Sequence, residues 1–265
     1  MIIAQISDIH AGPDNSNLSR FDSALKWLDA VEPDALVLTG DLIDNSWFEG
    51  YEAIYSRLNI QRFPTFILPG NADNKPLMRS VWGERFWSET PFAEGLHFVA
   101  DMGELRLIGL DTTIQGSSEG AVGNHLAWLE KSLSYADAAP SMLFLHHHII
   151  QSGIPPMDRI MCKDRAQLGE FLQNSSRQPI AIATGHVHRP IAGVFSGIPA
   201  YICGSICPAN PLWFGTEIVP PVNDPPSLMI HRFINHALVS HTSRFKLSGA
   251  REPPLLGSGQ RALRG

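Results

Sequence analysis

The chain has 265 residues, 44% of them hydrophobic and 17% charged, with 20 basic against 26 acidic side chains. That composition belongs to a globular chain long enough for one large domain or two small ones, and it is too apolar for a disordered one. The mild net charge of −6 and the lack of any Lys/Arg-rich run exclude the electrostatic footprint of a nucleic-acid-polymer or anionic-membrane binder, and no apolar run approaches the roughly 20 residues of a spanning helix.

Ile2–Ser7 predicts a buried strand, and Leu18–Val31 predicts an amphipathic helix with Phe21, Leu25, Leu28 and Val31 on one face. Ala35–Thr39 is the next strand. Trp47–Leu58 is a second helix with Trp47, Tyr51, Ile54 and Leu58 in register, and Pro64–Leu68 is a third strand closed by Pro69-Gly70. This β-α-β-α-β order predicts parallel strands joined by crossover helices. Then His97–Asp101 and Glu104–Leu110 predict a hairpin around Met102-Gly103. A helix over Gly123–Ser134, a buried strand Ser141–Leu145 and a short helix Arg165–Gln173 follow. Pro179–Thr184 and Ile198–Cys203 are strands, and Leu228–Ile234 pairs with Ala237–Thr242 across Asn235-His236. The expected class is α/β: two mixed sheets packed face to face with helices outside.

Between the last elements, Ile206–Pro226 carries six prolines with Trp213 and Phe214, and predicts a long irregular loop, either a surface connection or a pocket wall. One domain over 1–245 and a Gly/Pro/Ser/Arg-rich flexible tail over 246–265 are expected. Met1 leads directly into an apolar strand with no basic leader, and three cysteines at Cys162, Cys203 and Cys207 lack metal-ligand spacing. Both observations predict a reducing, cytoplasmic compartment and ordinary core thiols.

Five polar clusters stand where apolar runs stop: Asp8-Ile9-His10, Gly40-Asp41, Gly70-Asn71, His146 in a run of three histidines, and Gly185-His186-Val187-His188. A lone Asp after a strand is usually a turn or cap residue, and a lone buried His is usually a hydrogen-bonded core residue. Five such coincidences at strand ends, where α/β sheets gather ligands, point instead to one site. Together they offer two carboxylates, one amide and four imidazoles, enough for two metal ions sharing a bridge. If the chain stays extended, residues two apart share a side, so Asp8 and His10 project together, as do His186 and His188. The preceding glycines are expected to permit tight or left-handed turns.

With these motifs the chain resembles the calcineurin-like metallophosphoesterases, whose pattern D-x-H, GD, GN(x)D, H, GHxH is met in order from about residue 1 to 205. The likeness is nearest to bacterial class III cyclic-nucleotide and glycerophosphodiester phosphodiesterases, through Phe144-Leu145-His146-His147 and Pro156-Met157-Asp158. The resemblance implies a four-layer αββα sandwich and two divalent ions of Mn, Fe, Zn or Co. One ion would take Asp8, His10, Asp41 and His188; the other would take Asp41, Asn71, His146 and His186, with Asp41 bridging. It further implies in-line attack on a small phosphodiester by a metal-bridging hydroxide, with Asn71 at the reacting phosphate. Cyclic nucleotides are favoured; glycerophosphodiesters or pyrophosphates are the alternative substrates.

The chain departs from the pattern at Ala72, where most members place a histidine that contacts the phosphate and helps protonate the leaving group. General acid catalysis contributes about 10²- to 10⁴-fold, so the departure leaves two readings. Either the enzyme works on substrates with easier leaving groups or another group substitutes, with His147 and His148 nearest in sequence, or the protein is a non-catalytic metal-bound interaction scaffold. Asp73 is expected to orient Asn71 or to cap the next helix, Asp44 and Asn45 to line the pocket, and Asp111 to have a supporting or turn role. No nucleic-acid polymer or membrane partner is expected; a homo-oligomer is possible, through the Pro-rich loop or the terminal hairpin.

Overall fold

Side-chain alternation along the strands decides the layering. The computed structural model describes residues 1–83, 86–87, 95–134 and 139–247. Its first sheet is built on parallel β1 (Ile2–Ile6), β2 (Ala35–Thr39) and β3 (Thr65–Leu68), with α1 (Asn17–Val31) and α2 (Phe48–Leu58) as crossovers and α3 (Lys75–Trp82) following β3. Along β1 and β2, Ala4, Ile6, Leu36 and Leu38 face the helices and pack with Phe21, Leu28 and Ile54. Their neighbours Ile3 and Val37 face the other way and meet the second sheet. Each wholly buried Leu, Ile or Phe contributes roughly 1.5–3 kcal/mol.

The second sheet follows the same rule. It comprises β4 (Phe98–Asp101), β5 (Arg106–Gly109), β6 (Ser141–Phe144), β7 (Ala181–Thr184), β8 (Ile191–Phe195) and β9 (Ile198–Ile202) in the order β4-β5-β6-β7-β9-β8. Leu107, Met142, Phe144 and Ala183 face the first sheet. Ile108, Leu143 and Ile182 face α4 (Leu126–Leu133) and α6 (Arg165–Asn174), through Leu129, Leu133, Leu168 and Leu172. The described residues therefore stack as helices, sheet, sheet, helices. The short α5 (Pro155–Asp158) lies between β6 and α6 in the chain.

The terminal hairpin of β10 (Ser227–Ile234) and β11 (Ala237–Arg244) joins the first sheet, with β10 antiparallel to β1. Near this junction His231 is wholly buried, with Nδ1 against Ser240 Oγ at 2.8 Å and Nε2 against Gln5 Oε1 at 3.1 Å. Burial pushes its pKa down to about 3. The unfolded chain takes a proton on this ring below about 6.5 while the fold refuses it, so stability falls as pH drops from about 6.5 towards 3. The expected slope is about 1.4 kcal/mol per pH unit for this one group. In NMR, the His231 ring signals are expected not to titrate between pH 8 and 4.

The predicted Gly123–Ser134 helix starts instead as a 3-10 turn at Gly123–His125 before α4. Ile206–Pro226 is irregular as expected and leaves Leu212, Phe214 and Ile218 exposed. The expected tail falls almost wholly on 248–265, outside the described residues. No helix among the described residues is long and apolar enough to cross a membrane.

Candidate metal centre

The carboxyl ends of β1, β2 and β3 in one sheet and of β6 and β7 in the other converge, and each is followed within three residues by one of the five polar clusters. Within the second sheet's edge Gly185 N–H donates to His146 O at 2.9 Å, and Cys207 N–H, from the loop after β9, donates across to Asp8 O at 3.0 Å. His186 N–H adds a bond to Asp8 Oδ2 at 3.0 Å across the sheets.

The loops are not extended. Asp8, His10, Asp41, His186 and His188 all have positive φ, between 48° and 73°. This corrects the expectation that Asp8/His10 and His186/His188 share a side by strand alternation. These five ligand-type side chains are aimed by a left-handed backbone that costs an L residue on the order of 1 kcal/mol or more. Five such residues around one point mark a site held by its surroundings. The glycines also act differently from expectation. Of Gly40, Gly70 and Gly185, Gly40 alone has positive φ, at 87°. At Gly70 a methyl would overlap Asp41 Oδ1 and His146 Cε1, and at Gly185 it would overlap Ser7 Oγ, so these two are required by close packing.

Hydrogen bonds on the far side of each ring fix which nitrogen is free. His146 Nδ1 donates to Thr39 O at 2.7 Å, and His186 Nε2 donates to Ile160 O at 3.1 Å. That turns His146 Nε2 and His186 Nδ1 towards each other at 3.1 Å. Asn71 Oδ1 stands 3.1 Å and Asp41 Oδ2 3.4 Å from the same His146 nitrogen. In the second group, His10 Nδ1 donates to Asp44 Oδ1 at 2.7 Å. Its free Nε2 lies 3.1 Å from His188 Nε2 and 3.3 Å from Asp41 Oδ2, and His188 Nε2 lies 3.3 Å from Asp8 Oδ1. With ligand–metal bonds of roughly 2.0–2.2 Å, neighbouring donors on a four- to six-coordinate ion stand roughly 2.9–3.5 Å apart. Two sets of acceptors at that spacing, sharing Asp41, fit two cations.

Charge agrees with geometry. Burial alone would raise the Asp41 carboxyl, but His146 and His10 override it and hold it well below the usual carboxylate range. Burial would likewise depress His10 and His146, yet Asp41 lifts them to about 10 and about 9. Carboxylates that hold protons on His10 and His146 so strongly also attract a metal cation, and a bound metal displaces those protons.

A family model described as calcineurin-like phosphoesterase matches residues 1–190. The chain belongs to the calcineurin-like phosphoesterase family. It is 31% identical over 216 residues to a probable glycerophosphodiester phosphodiesterase of Arcobacter nitrofigilis, covering 80% of this chain and 78% of that one. It is 30% identical over 186 residues to a cAMP/cGMP dual specificity phosphodiesterase of Mycobacterium tuberculosis, covering 67% and 55%. In fold it is similar to a dimetal phosphatase from Danio rerio, with a TM-score of 0.70 at 12% identity, covering 92% of this chain and 96% of that one. Calcineurin-like phosphoesterases use a dinuclear metal centre, and the acceptor sets described above are the candidate for it here.

Around this family site the structure adds residues that the sequence reading placed differently. Asp73 neither orients Asn71 nor caps α3. It accepts from Leu42 N–H, Gly70 N–H and the Tyr51 hydroxyl, tying the second and third clusters together, while Asn74 caps α3. Cys207 sits with Sγ 3.3 Å from His188 Nδ1. Burial pushes its thiol up to about 12, so it meets His188 as a neutral thiol. No spacing in the sequence signals this contact. His147 and His148 are wholly buried. His147 Nδ1 pairs with Thr112 Oγ1 at 2.8 Å while its Nε2 has no partner; His148 Nε2 is 3.7 Å from Asp158 Oδ1.

Asp44, half-exposed, orients His10. Asp44→Asn is expected to weaken binding of one of the two ions by about 10- to 100-fold while leaving the other, the range seen for residues that orient a ligand. Titration of chelator-treated protein with a competing metal indicator measures both affinities.

Proposed function

We propose that this calcineurin-like phosphoesterase is a dinuclear metal-dependent phosphodiesterase of small phosphodiesters, cyclic nucleotides first and glycerophosphodiesters second. Asp8, His10, Asp41 and His188 would hold one ion, and Asp41, Asn71, His146 and His186 would hold the other. The observation that carries this reading is the convergence of four donor atoms: His146 Nε2 stands 3.1 Å from His186 Nδ1, 3.1 Å from Asn71 Oδ1 and 3.4 Å from Asp41 Oδ2. When bound, two divalent ions activate water near neutral pH and neutralise charge on phosphoryl oxygens. Mixed nitrogen and oxygen donors without thiolate suit Mn, Fe, Zn or Co.

The chain's own residues hold this arrangement. Asp41 is fixed through Oδ1 by the Ala72 N–H at 2.8 Å, and Asp73 clamps the loops on either side of it. Asn71 lines the neighbouring cavity, where it would meet the reacting phosphate. Residue 72 brings no imidazole to the leaving group. His147 and His148 are the two imidazoles proposed to offset that loss, and their burial favours a role behind the ligands. His147 is the better placed, its ring 4.9 Å from His146 and 4.8 Å from His186. Three free, buried cysteines support a reducing compartment, the cytoplasm in this reading.

A hydrolysis panel on metal-analysed protein tests the proposal, with cyclic nucleotides of both ring types, glycerophosphodiesters, aryl diesters and aryl monoesters. Diesters are expected to turn over faster than monoesters. Inactivity across the panel in fully metallated protein would favour the interaction scaffold instead.

A further inference from the structure

A cavity of about 1010 Å³ opens beside the metal centre, with Asn71 at one end and Lys75, Gln115, Asn124, His125 and Lys163 along its walls. Its lining is about as polar as it is apolar, and the side chains named above can hydrogen-bond oxygens on the part of a substrate that enters it. One wall residue is set by a chain of bonds that the metal ligands do not need. Asp111 follows β5 at the same carboxyl edge as the clusters, and its carboxylate accepts from Lys75 Nζ at 3.1 Å, Leu96 N–H at 2.9 Å and Thr113 N–H at 2.8 Å. Its backbone N–H donates to His97 Nδ1 at 2.9 Å.

That bond decides two tautomers in succession. With Nδ1 accepting, the His97 proton is on Nε2, which donates to His125 Nδ1 at 3.2 Å. With its own Nδ1 accepting, His125 carries its proton on Nε2, the polar atom the ring has left to offer the cavity. His97 is wholly buried and stacked on Trp128, with ring centroids 4.4 Å apart. A methyl at Gly95 would overlap the His97 ring. Burial lowers both imidazoles, His97 to about 3, which keeps the pair neutral and the direction of donation fixed. Asp164 holds the turn that presents His125, accepting from Val122 N–H at 2.8 Å and Gly123 N–H at 2.7 Å.

We propose that His125 is a specificity-determining residue that donates its Nε2–H to an oxygen on the alcohol portion of the phosphodiester, with His97 and Asp111 as positioning residues. The inference rests on the phosphodiesterase reading above. It makes the enzyme selective for diesters whose alcohol portion carries hydroxyls, through a donor supplied from an element outside the metal-ligand motifs.

The test compares phenyl 2,3-dihydroxypropyl phosphate with diphenyl phosphate, two diesters that release the same phenol. His125→Ala is expected to lower the ratio of their kcat/KM values by about 3- to 10-fold, the loss of one hydrogen bond between neutral groups. His125→Gln, whose amide N–H reaches a similar position, is expected to restore most of the ratio. His97→Phe keeps the stack on Trp128 but frees the His125 tautomer, so the ratio is expected to fall there too. A purely structural role would lower both substrates together. An unchanged ratio in His125→Ala, or an equal fall in both substrates, overturns the proposal. A metal-loaded wild-type protein that cleaves neither diester overturns the phosphodiesterase reading and this inference with it.

Discussion

Ala72→His is expected to raise turnover of diesters with alkyl leaving groups by about 10²- to 10⁴-fold, the range for a positioned general acid. The backbone there is already placed, since the Ala72 N–H donates to Asp41 Oδ1 at 2.8 Å, and the residue is only half-buried. Diesters with acidic aryl leaving groups need no such proton and are expected to gain little. The discriminating readout is the slope of log kcat against leaving-group pKa, steep in the natural chain and flatter in Ala72→His. Equal rates for aryl and alkyl diesters in the natural chain would show that another group already supplies the proton.

Asp41→Ala is expected to reduce turnover by about 10³-fold or more, since metal-ion charge stabilisation contributes several kcal/mol to the transition state. Asp41 is the carboxylate common to both acceptor sets, with Oδ2 3.3 Å from His10 Nε2 and 3.4 Å from His146 Nε2. Losing it removes a donor from both ions at once, unlike Asp44→Asn, which acts on one. Metal content measured beside kcat checks the cause. Turnover within tenfold of the natural chain would contradict the bridging role.

The five clusters and the first three strands were legible because each cluster ends an apolar run of 4 to 5 residues that the structure confirms as a strand: β1, β2, β3, β6 and β7. What those residues do with their backbones was not legible. Extended geometry is the natural expectation for Asp8-Ile9-His10, whereas Asp8 and His10 are left-handed, a conformation that Asp and His adopt more readily than other side chains but that residue type signals only weakly. β8 escaped notice because it is a two-faced edge strand, Ile191–Phe195, with Gly193 at its centre and alternate residues exposed. α3 was missed because only Met78 is buried along it; Asn74, whose side chain accepts from Leu77 N–H, was the available signal. The His97–His125 pair spans 28 residues and has no motif, so only the fold brings it together.

The central claim is that two ions sit on one shared carboxylate. Elemental analysis of chelator-stripped protein re-equilibrated with Mn, Fe, Zn or Co, after removal of free metal, tests it most directly. The structure predicts two ions per chain, falling below one in Asp41→Ala. Fewer than one ion per natural chain under saturating conditions would contradict it.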